Sequence, residues 1–424
     1  MFHASPRIPG LTENLLSHGY QITIVTPMLG ENADSKLGFS KNYVNNVKII
    51  EVPYKGETLS RIRNFLNKIG FTPSESYTEQ LKEKLKVSNK KNFVDRLLWL
   101  YQEFFSFPDG ERKWKKPAIN EIKNFLKNDK FDFMLSSSPY PTSHVIANKI
   151  KKMKEIIWIA DFRDTWTNNP VYPFSSFRKF FESKYEVLKL NNSDFFITVS
   201  DSYAKKLRDL HNKKVFVIPN GFQGSVVNKK IELTKKFTIT YTGMIYLDQQ
   251  NPILFFDAIK ELVQEKKIDS KDILIRFFGR KENYLKNYIE KNELTPFVKQ
   301  YGLVDRQVAR YKQLESQLLL FFNWEDKMNK GLSHLKFYEY LKSGRPILAS
   351  GGYEGTEVEK TLKETNAGSF CTSLGELKKA ILNFYEEYKE NNFIANKSNM
   401  KLINKHSYYS RATLLHKIMK DYQN

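Results

Sequence analysis

Residues 156–166, IIWIADFRDTW, concentrate more potential chemistry than any other segment of the chain. An apolar run predicts a short buried strand over 156–160, which stops on Asp161, Arg163, Asp164 and Trp166. In an open parallel sheet, ligands sit beyond the carboxyl ends of the strands. Charged groups packed directly after such a strand therefore point into the cleft, where chemistry would be placed. The same residues also read as a structural Asp–Arg pair closing a loop. Taken alone, the segment leaves both readings open.

The elements that would position these residues alternate between strands and helices. A helix around 11–17 leads into QITIVTP at 21–27, and VKIIEVP at 47–53 is a second strand. FDFMLSSSP at 131–139, FFITVS at 195–200 and VFVIPNG at 215–221 continue the series. A second set follows: FTITYTG at 237–243, ILIRFFG at 273–279, QLLLFFN at 317–323 and PILAS at 346–350. Strands separated by helical periodicity indicate βαβ units and a mostly parallel sheet. Pro219, Asn220 and Gly221 mark a turn, followed by a polar linker. The expectation is an α/β chain with two doubly wound, Rossmann-like domains, joined near residue 225 and facing a cleft.

Length and composition agree with that reading. A chain of 424 residues suits two domains of roughly 200 residues each, and 41% hydrophobic residues supply two cores. The single cysteine, Cys371, excludes an internal disulfide and fits a reducing compartment. The longest apolar runs, such as Leu318–Phe322, are too short to span a bilayer. These features predict a cytoplasmic protein. The formal charge of +21 comes mostly from lysine, with no zinc spacing or ribonucleoprotein motif, so nucleic acid is not an expected partner. A solvated cationic surface able to approach phosphate groups or an anionic membrane remains.

Residues 54–130 interrupt the rhythm with helical, basic and aromatic material. In TLSRIRNFLNKIG, Leu59, Ile62, Phe65, Leu66 and Ile69 form one helical face, with Arg61, Arg63 and Lys68 largely elsewhere. FVDRLLWLYQEFFSF at 93–107 is apolar nearly all round. Both read first as core, and second as membrane-contacting or acceptor-binding elements.

Several motifs, in order, resemble a family. SPRIPGLTENLLSHGYQITIVTP at 5–27, FPDGERKW at 107–114, SSSPYPTSHVIA at 136–147, DFRDTW at 161–166 and VIPNG at 217–221 occupy the first half. YTGMIY at 241–246 and HLKFYEYLKSGRPILA at 334–349 occupy the second. Together they resemble the retaining GT-B glycosyltransferases of the family-4 class, in the bacterial branch that carries a DFRDpW motif. The resemblance covers nearly the whole chain. It implies an N-terminal acceptor-side domain over 1–224, a nucleotide-sugar-binding domain over 225–400, and a closing helix over 401–424 that crosses back to the first.

The resemblance implies a nucleoside diphosphate sugar on the second domain. Ser333 would cap the helix that follows it, whose free N–H groups and dipole would face a diphosphate. Lys336 would contact phosphate and Glu339 the ribose diol. Arg280 would add a phosphate contact, and Gly243 would permit close backbone approach. In the first domain Asp161, Arg163 and Asp164 would carry the catalytic positions, with Ser138, Thr142 and His144 offered to acceptor hydroxyls. His144 reads equally as a structural histidine. No metal cluster and no cofactor are implied, the nucleotide sugar being a substrate.

The chain also departs from the family pattern. The first of the usual pair of glutamates falls on Gly331, and Met244 and the Gln249, Gln250 region replace the Arg and Lys that commonly follow the first strand of the second domain. The expected function is transfer of a sugar to a glycan or lipid-linked acceptor in cell-surface polysaccharide assembly, with peripheral contact to an anionic cytoplasmic membrane face. A nucleotide-sugar epimerase of the same fold and a non-catalytic nucleotide-sugar binder are the alternatives. A final expectation concerns the first domain: in the family a central strand precedes the loop at 5–11, so 21–27 would lack a neighbour on one side unless another segment fills that position.

Overall fold

A parallel strand buried on both faces needs apolar side chains at nearly every position, and the chain's runs of Ile, Phe, Leu and Val become such strands. The computed structural model describes residues 6–28, 41–54, 93–169, 172–227, 231–246, 249–325 and 333–423. These fall into two compact units, Met1–Pro219 with Leu415–Asn424, and Asn220–Leu414. The basic helix expected over 59–69 and Gly331 lie outside the described residues.

In the first unit, α1 (Arg7–Leu16) leads to β1 (Thr23–Pro27), and α2 (Lys41–Asn46) to β2 (Lys48–Val52). Helices α3 (Phe93–Phe105) and α4 (Lys115–Phe125) follow. Then come β3 (Phe133–Ser137), α5 (Thr142–Lys151), β4 (Ile157–Phe162), α6 (Ser176–Leu190), β5 (Phe195–Thr198), α7 (Asp201–His211) and β6 (Val215–Val217). Strands β3-β4-β5-β6 form one parallel sheet in that order, and β1 and β2 form a separate parallel pair. Among the described residues no strand joins β1 to β3. A cavity of about 400 Å³ is lined by Thr23, Ile24 and Val25 on one side and by Phe133, Met134 and Leu135 on the other.

Strand β4 runs further than its apolar stretch implied. It includes Asp161 and Phe162, both fully buried. A carboxylate can occupy a buried strand only when it is paired and hydrogen-bonded, and the partners of Asp161 are described below. Helix α3 also differs from the expected core element: Leu98 is buried, but Phe104 and Phe105 are exposed.

The second unit holds β7 (Phe237–Thr242), α8 (Pro252–Gln264), β8 (Ile273–Phe278), α9 (Asn283–Lys291), β9 (Val298–Gly302), α10 (Arg306–Leu314) and β10 (Leu318–Phe322). It continues with α11 (Leu335–Ser343), β11 (Ile347–Ser350), α12 (Glu357–Thr365), β12 (Gly368–Cys371), α13 (Leu374–Asn391) and α14 (Met400–Asn404). Its six parallel strands lie in the order β12-β11-β10-β7-β8-β9. Strand order reverses between β7 and β10, which makes their carboxyl ends the switch point where doubly wound sheets bind ligands. Helix caps follow the sequence: Asn251 accepts from Ile253 N ahead of Pro252, and Ser373 and Glu376 form a reciprocal capping box. The last helix, α15 (Tyr408–Gln423), belongs to the first unit from Leu415 onward.

Candidate functional site

In the second unit, Gly243, Lys336 and Glu339 of the expected donor set lie together beside the end of β7. Strand β7 is followed by Gly243, whose φ of 109° suits glycine. A Cβ there would lie 2.8 Å from Lys336 Cε, so the missing side chain makes room for the lysine. At Gly279, which follows β8, a Cβ would lie 2.1 Å from the Gly243 carbonyl oxygen. Close backbone approach therefore requires glycine at 279, and the positive φ favours it at 243. Lys336, second residue of α11, donates to Tyr241 Oη at 2.5 Å and lies 3.9 Å from the centre of that ring. Burial lowers its pKa to about 7, although the Glu339 carboxylate pulls the other way. The ammonium thus sits at the positive end of a helix, in a place that disfavours its charge.

Glu339 sits one turn further along α11. Its Oε1 accepts from Arg306 Nη2 at 2.5 Å, and Arg310 Nη2 stands 3.9 Å away. Both arginines come from α10, so one carboxylate faces two guanidinium groups. Arg280 follows Gly279 on the surface. Ser333 does not cap α11. The N-cap residue is His334, with no side-chain hydrogen bond to the helix, while the Ser333 hydroxyl faces Tyr338 Oη at 3.4 Å. The α11 N–H groups are left without a side-chain cap, because the chain turns into the helix one residue later than the serine requires.

In the first unit, Asp161 is fully buried. Arg7 donates to it through Nη2 at 2.9 Å and Nε at 3.0 Å, and Ser137 Oγ donates at 2.7 Å. Arg7, itself wholly buried, also donates through Nη1 to the carbonyl of Ile218 at 2.7 Å. This clamp fastens the start of α1 to β4 and to the segment after β6. Asp161 therefore holds the framework and does not present its carboxylate at the surface.

Ser138 is likewise engaged with its own chain, its Oγ accepting from Arg163 N at 2.9 Å and donating to the Asp164 carbonyl at 3.2 Å. That hydroxyl shapes the turn that places Arg163 and Asp164, both half-buried. Thr142 donates through N and Oγ1 to Asp109 at 2.6 and 2.8 Å, so Asp109 serves the N-terminus of α5. His144 is a core histidine: it is 0% exposed, its Nδ1 pairs with Ser136 Oγ at 2.8 Å, and burial lowers its pKa to about 4. The acceptor-facing placement expected for His144 does not hold, because α5 turns that ring inward against Phe162.

What the first unit does offer is a pocket of about 400 Å³ with both polar and apolar lining, among others Asp109, Asp164, Trp166, Tyr172 and Glu182. Burial raises the pKa of Asp164, with Arg163 lowering it and Asp161 adding to the rise. Its carboxyl is the group of the DFRD segment that reaches the pocket.

Residues 99–223 match the family model of Glycosyltransferase Family 4. No curated protein matches the chain by sequence. Among solved structures, sucrose-phosphate synthase from Thermosynechococcus elongatus superposes with a TM-score of 0.59 at 12% identity, covering 97% of this chain and 91% of that one. A glycosyltransferase from Rickettsia africae ESF-5 gives 0.55 at 14% identity, covering 95% and 98%. Anabaena HepE in complex with UDP gives 0.55 at 10% identity, covering 95% and 100%. The fold is GT-B.

Within this GT-B chain, Arg7, Asp109, Arg306 and Arg310 escape a reading of the sequence. Arg7 lies 154 positions from its partner, and Arg306 and Arg310 look like ordinary cations on an amphipathic helix. The FPDGE segment was visible as a motif, but nothing local ties Asp109 to the start of α5.

Proposed function

We propose that this chain is a glycosyltransferase that takes a sugar from a nucleoside diphosphate donor and passes it to a glycan or lipid-linked acceptor. The reading includes a role in cell-surface polysaccharide assembly, retention of configuration and independence of metal. The observation that carries it is Lys336, a half-buried ammonium at the first turn of α11, seated on Gly243 and Tyr241. A diphosphate there would meet the helix N–H groups and the lysine together, and its charge would restore the protonated form. The Family 4 match over 99–223 and the UDP held by HepE support the same assignment.

In this reading Lys336, Arg280 and the α11 terminus balance the charge that develops on the departing diphosphate. Glu339 takes the ribose diol, exchanging its bond to Arg306 for two hydroxyl donors. Arg306 and Arg310 are then free to meet phosphate. The acceptor hydroxyl occupies the pocket of the first unit, where Asp164 orients it. Its oxygen bonds to the anomeric carbon as the bond to the β-phosphate oxygen breaks, on the same face, and its proton leaves with that phosphate. Asp161 acts through the framework as a positioning residue.

Calorimetric titration with UDP, GDP and dTDP tests the donor assignment. One of them should bind, and Lys336→Ala should bind it at least about tenfold more weakly, since a hydrogen bond to a charged group contributes about 1.5–3 kcal/mol. Binding of none, or equal binding by the variant, removes the donor from this site.

A further inference from the structure

Helix α6 is inside out. Three of its charged residues, Arg178, Glu182 and Glu186, are buried, whereas Phe177, Phe180, Phe181 and Leu188 are 71%, 55%, 53% and 62% exposed. The interior accepts the charges because every one is bonded. Arg178 donates to Glu182 at 2.8 Å, to the Glu103 carbonyl at 2.8 Å and to the Ser106 carbonyl at 2.9 Å. Glu182 accepts from Trp166 Nε1 at 2.7 Å, and Glu186 from Thr167 N at 3.0 Å. This network fixes the rotation of α6, and the aromatic side chains are turned outward as a consequence.

The outward residues form one stripe. Phe177, Phe181, Lys184 and Leu188 recur at spacings of three and four, and Phe180 lies beside them. Phe177 and Phe180 each pack edge-on against Phe181, at 4.9 and 5.3 Å between centres, and Lys184 Nζ stands 4.2 Å from the Phe180 ring. The exposed face carries Lys179 and Lys184 and no acid, because both acids of the helix are buried. Phe104 and Phe105, 65% and 56% exposed, lie at the end of α3, the helix whose Gln102 and Glu103 carbonyls bond Arg178 of α6.

We propose that this face docks the protein on an anionic lipid bilayer, with the phenylalanines entering the boundary between headgroups and acyl chains and the lysines meeting lipid phosphates. An apolar stripe edged by cations and free of acids is the chemistry of an interfacial helix, and the net charge of +21 draws the whole chain to the same surface. The docking needs neither donor nor acceptor, so it stands apart from the transferase reading. No described helix is long and apolar enough to cross a membrane, and this mode of contact requires none.

Flotation of the full chain with vesicles tests the proposal, using phosphatidylcholine alone and phosphatidylcholine mixed with phosphatidylglycerol. The wild type should float with the mixed vesicles and release at high salt. Phe177→Ser with Phe181→Ser, and separately Lys179→Glu with Lys184→Glu, should lower binding by about tenfold or more. Unchanged circular dichroism and melting would show that these surface variants fold. Absence of wild-type flotation, or full binding by both double variants, would overturn the proposal. So would a wild-type dimer that the phenylalanine variant dissolves, since the face would then belong to a second copy.

Discussion

Arg7 and Asp161 form a wholly buried ion pair across 154 positions of sequence, with Nη2 and Oδ1 2.9 Å apart. Removing one partner leaves an uncompensated charge in the core. Arg7→Met and Asp161→Leu should each cost about 3–5 kcal/mol. The double variant should cost clearly less than their sum, because an apolar pair removes both desolvation penalties. Chemical denaturation of the three variants checks this, and additive losses would mean that the two groups do not act as a pair. Asp161→Asn should lower turnover while sparing nucleotide affinity, since the residues proposed to hold the donor belong to the second unit.

If the diphosphate sits on Lys336 as proposed, nucleotide binding is proton-linked. Its pKa stands at about 7 against an ordinary 10.5, so near pH 8 most of the free protein carries the neutral amine. A bound diphosphate favours the ammonium and raises the pKa, and complex formation should take up close to one proton. Binding enthalpies measured in buffers of different ionisation enthalpy should therefore diverge at pH 8 and converge near pH 6. In Lys336→Met the divergence should vanish. A buffer-independent enthalpy for the wild type at pH 8 would show that Lys336 does not meet the anion.

The proposed contact of Glu339 with the ribose separates ribose recognition from phosphate recognition. Glu339→Ala should weaken nucleoside diphosphate binding by about tenfold or more, because the ribose loses its acceptor. Binding of inorganic pyrophosphate should hold or improve, since Arg306 and Arg310 lose their carboxylate neighbour. Equal weakening of both ligands would reassign Glu339 to ordering the arginines.

One buried and two half-buried histidines shape the acid limb. Burial lowers His144, His334 and His406 to about 4 from an ordinary 6.5. Between those values the unfolded chain binds these protons and the folded chain does not, so stability falls as pH drops from 6.5 toward 4. Melting temperatures measured across that window should decline, and His144→Gln should shallow the slope by about one proton's worth. A flat profile would place these rings in contact with water.

Most strands were legible, because strands buried on both faces leave apolar runs such as LLLFF or alternate apolar residues with threonine as in FTITYT. Strands β9 and β12 were not, since VKQYG and GSFC are polar or small and lie at sheet edges. The cluster of Gly243, Lys336 and Glu339 followed from motif order, but the Arg306 and Arg310 pairing depends on how α10 and α11 pack. Asp161 and Ser138 stood out by residue type, yet their roles rest on Arg7 and on the 163–164 backbone, which no local pattern reveals. The outward phenylalanines of α6 invert the usual rule, because a buried polar network and not apolar burial sets the rotation of that helix.

The most direct test is a screen by isomer-resolving chromatography coupled to mass spectrometry, with UDP-, GDP- and dTDP-sugars incubated with the wild type and with Lys336→Ala. The result expected is slow acceptor-free loss of sugar from one donor, with the matching nucleoside diphosphate appearing, and suppression of that loss in the variant. Conversion of a donor to an epimer of unchanged mass, or no reaction with any donor that binds, would contradict the glycosyltransferase reading.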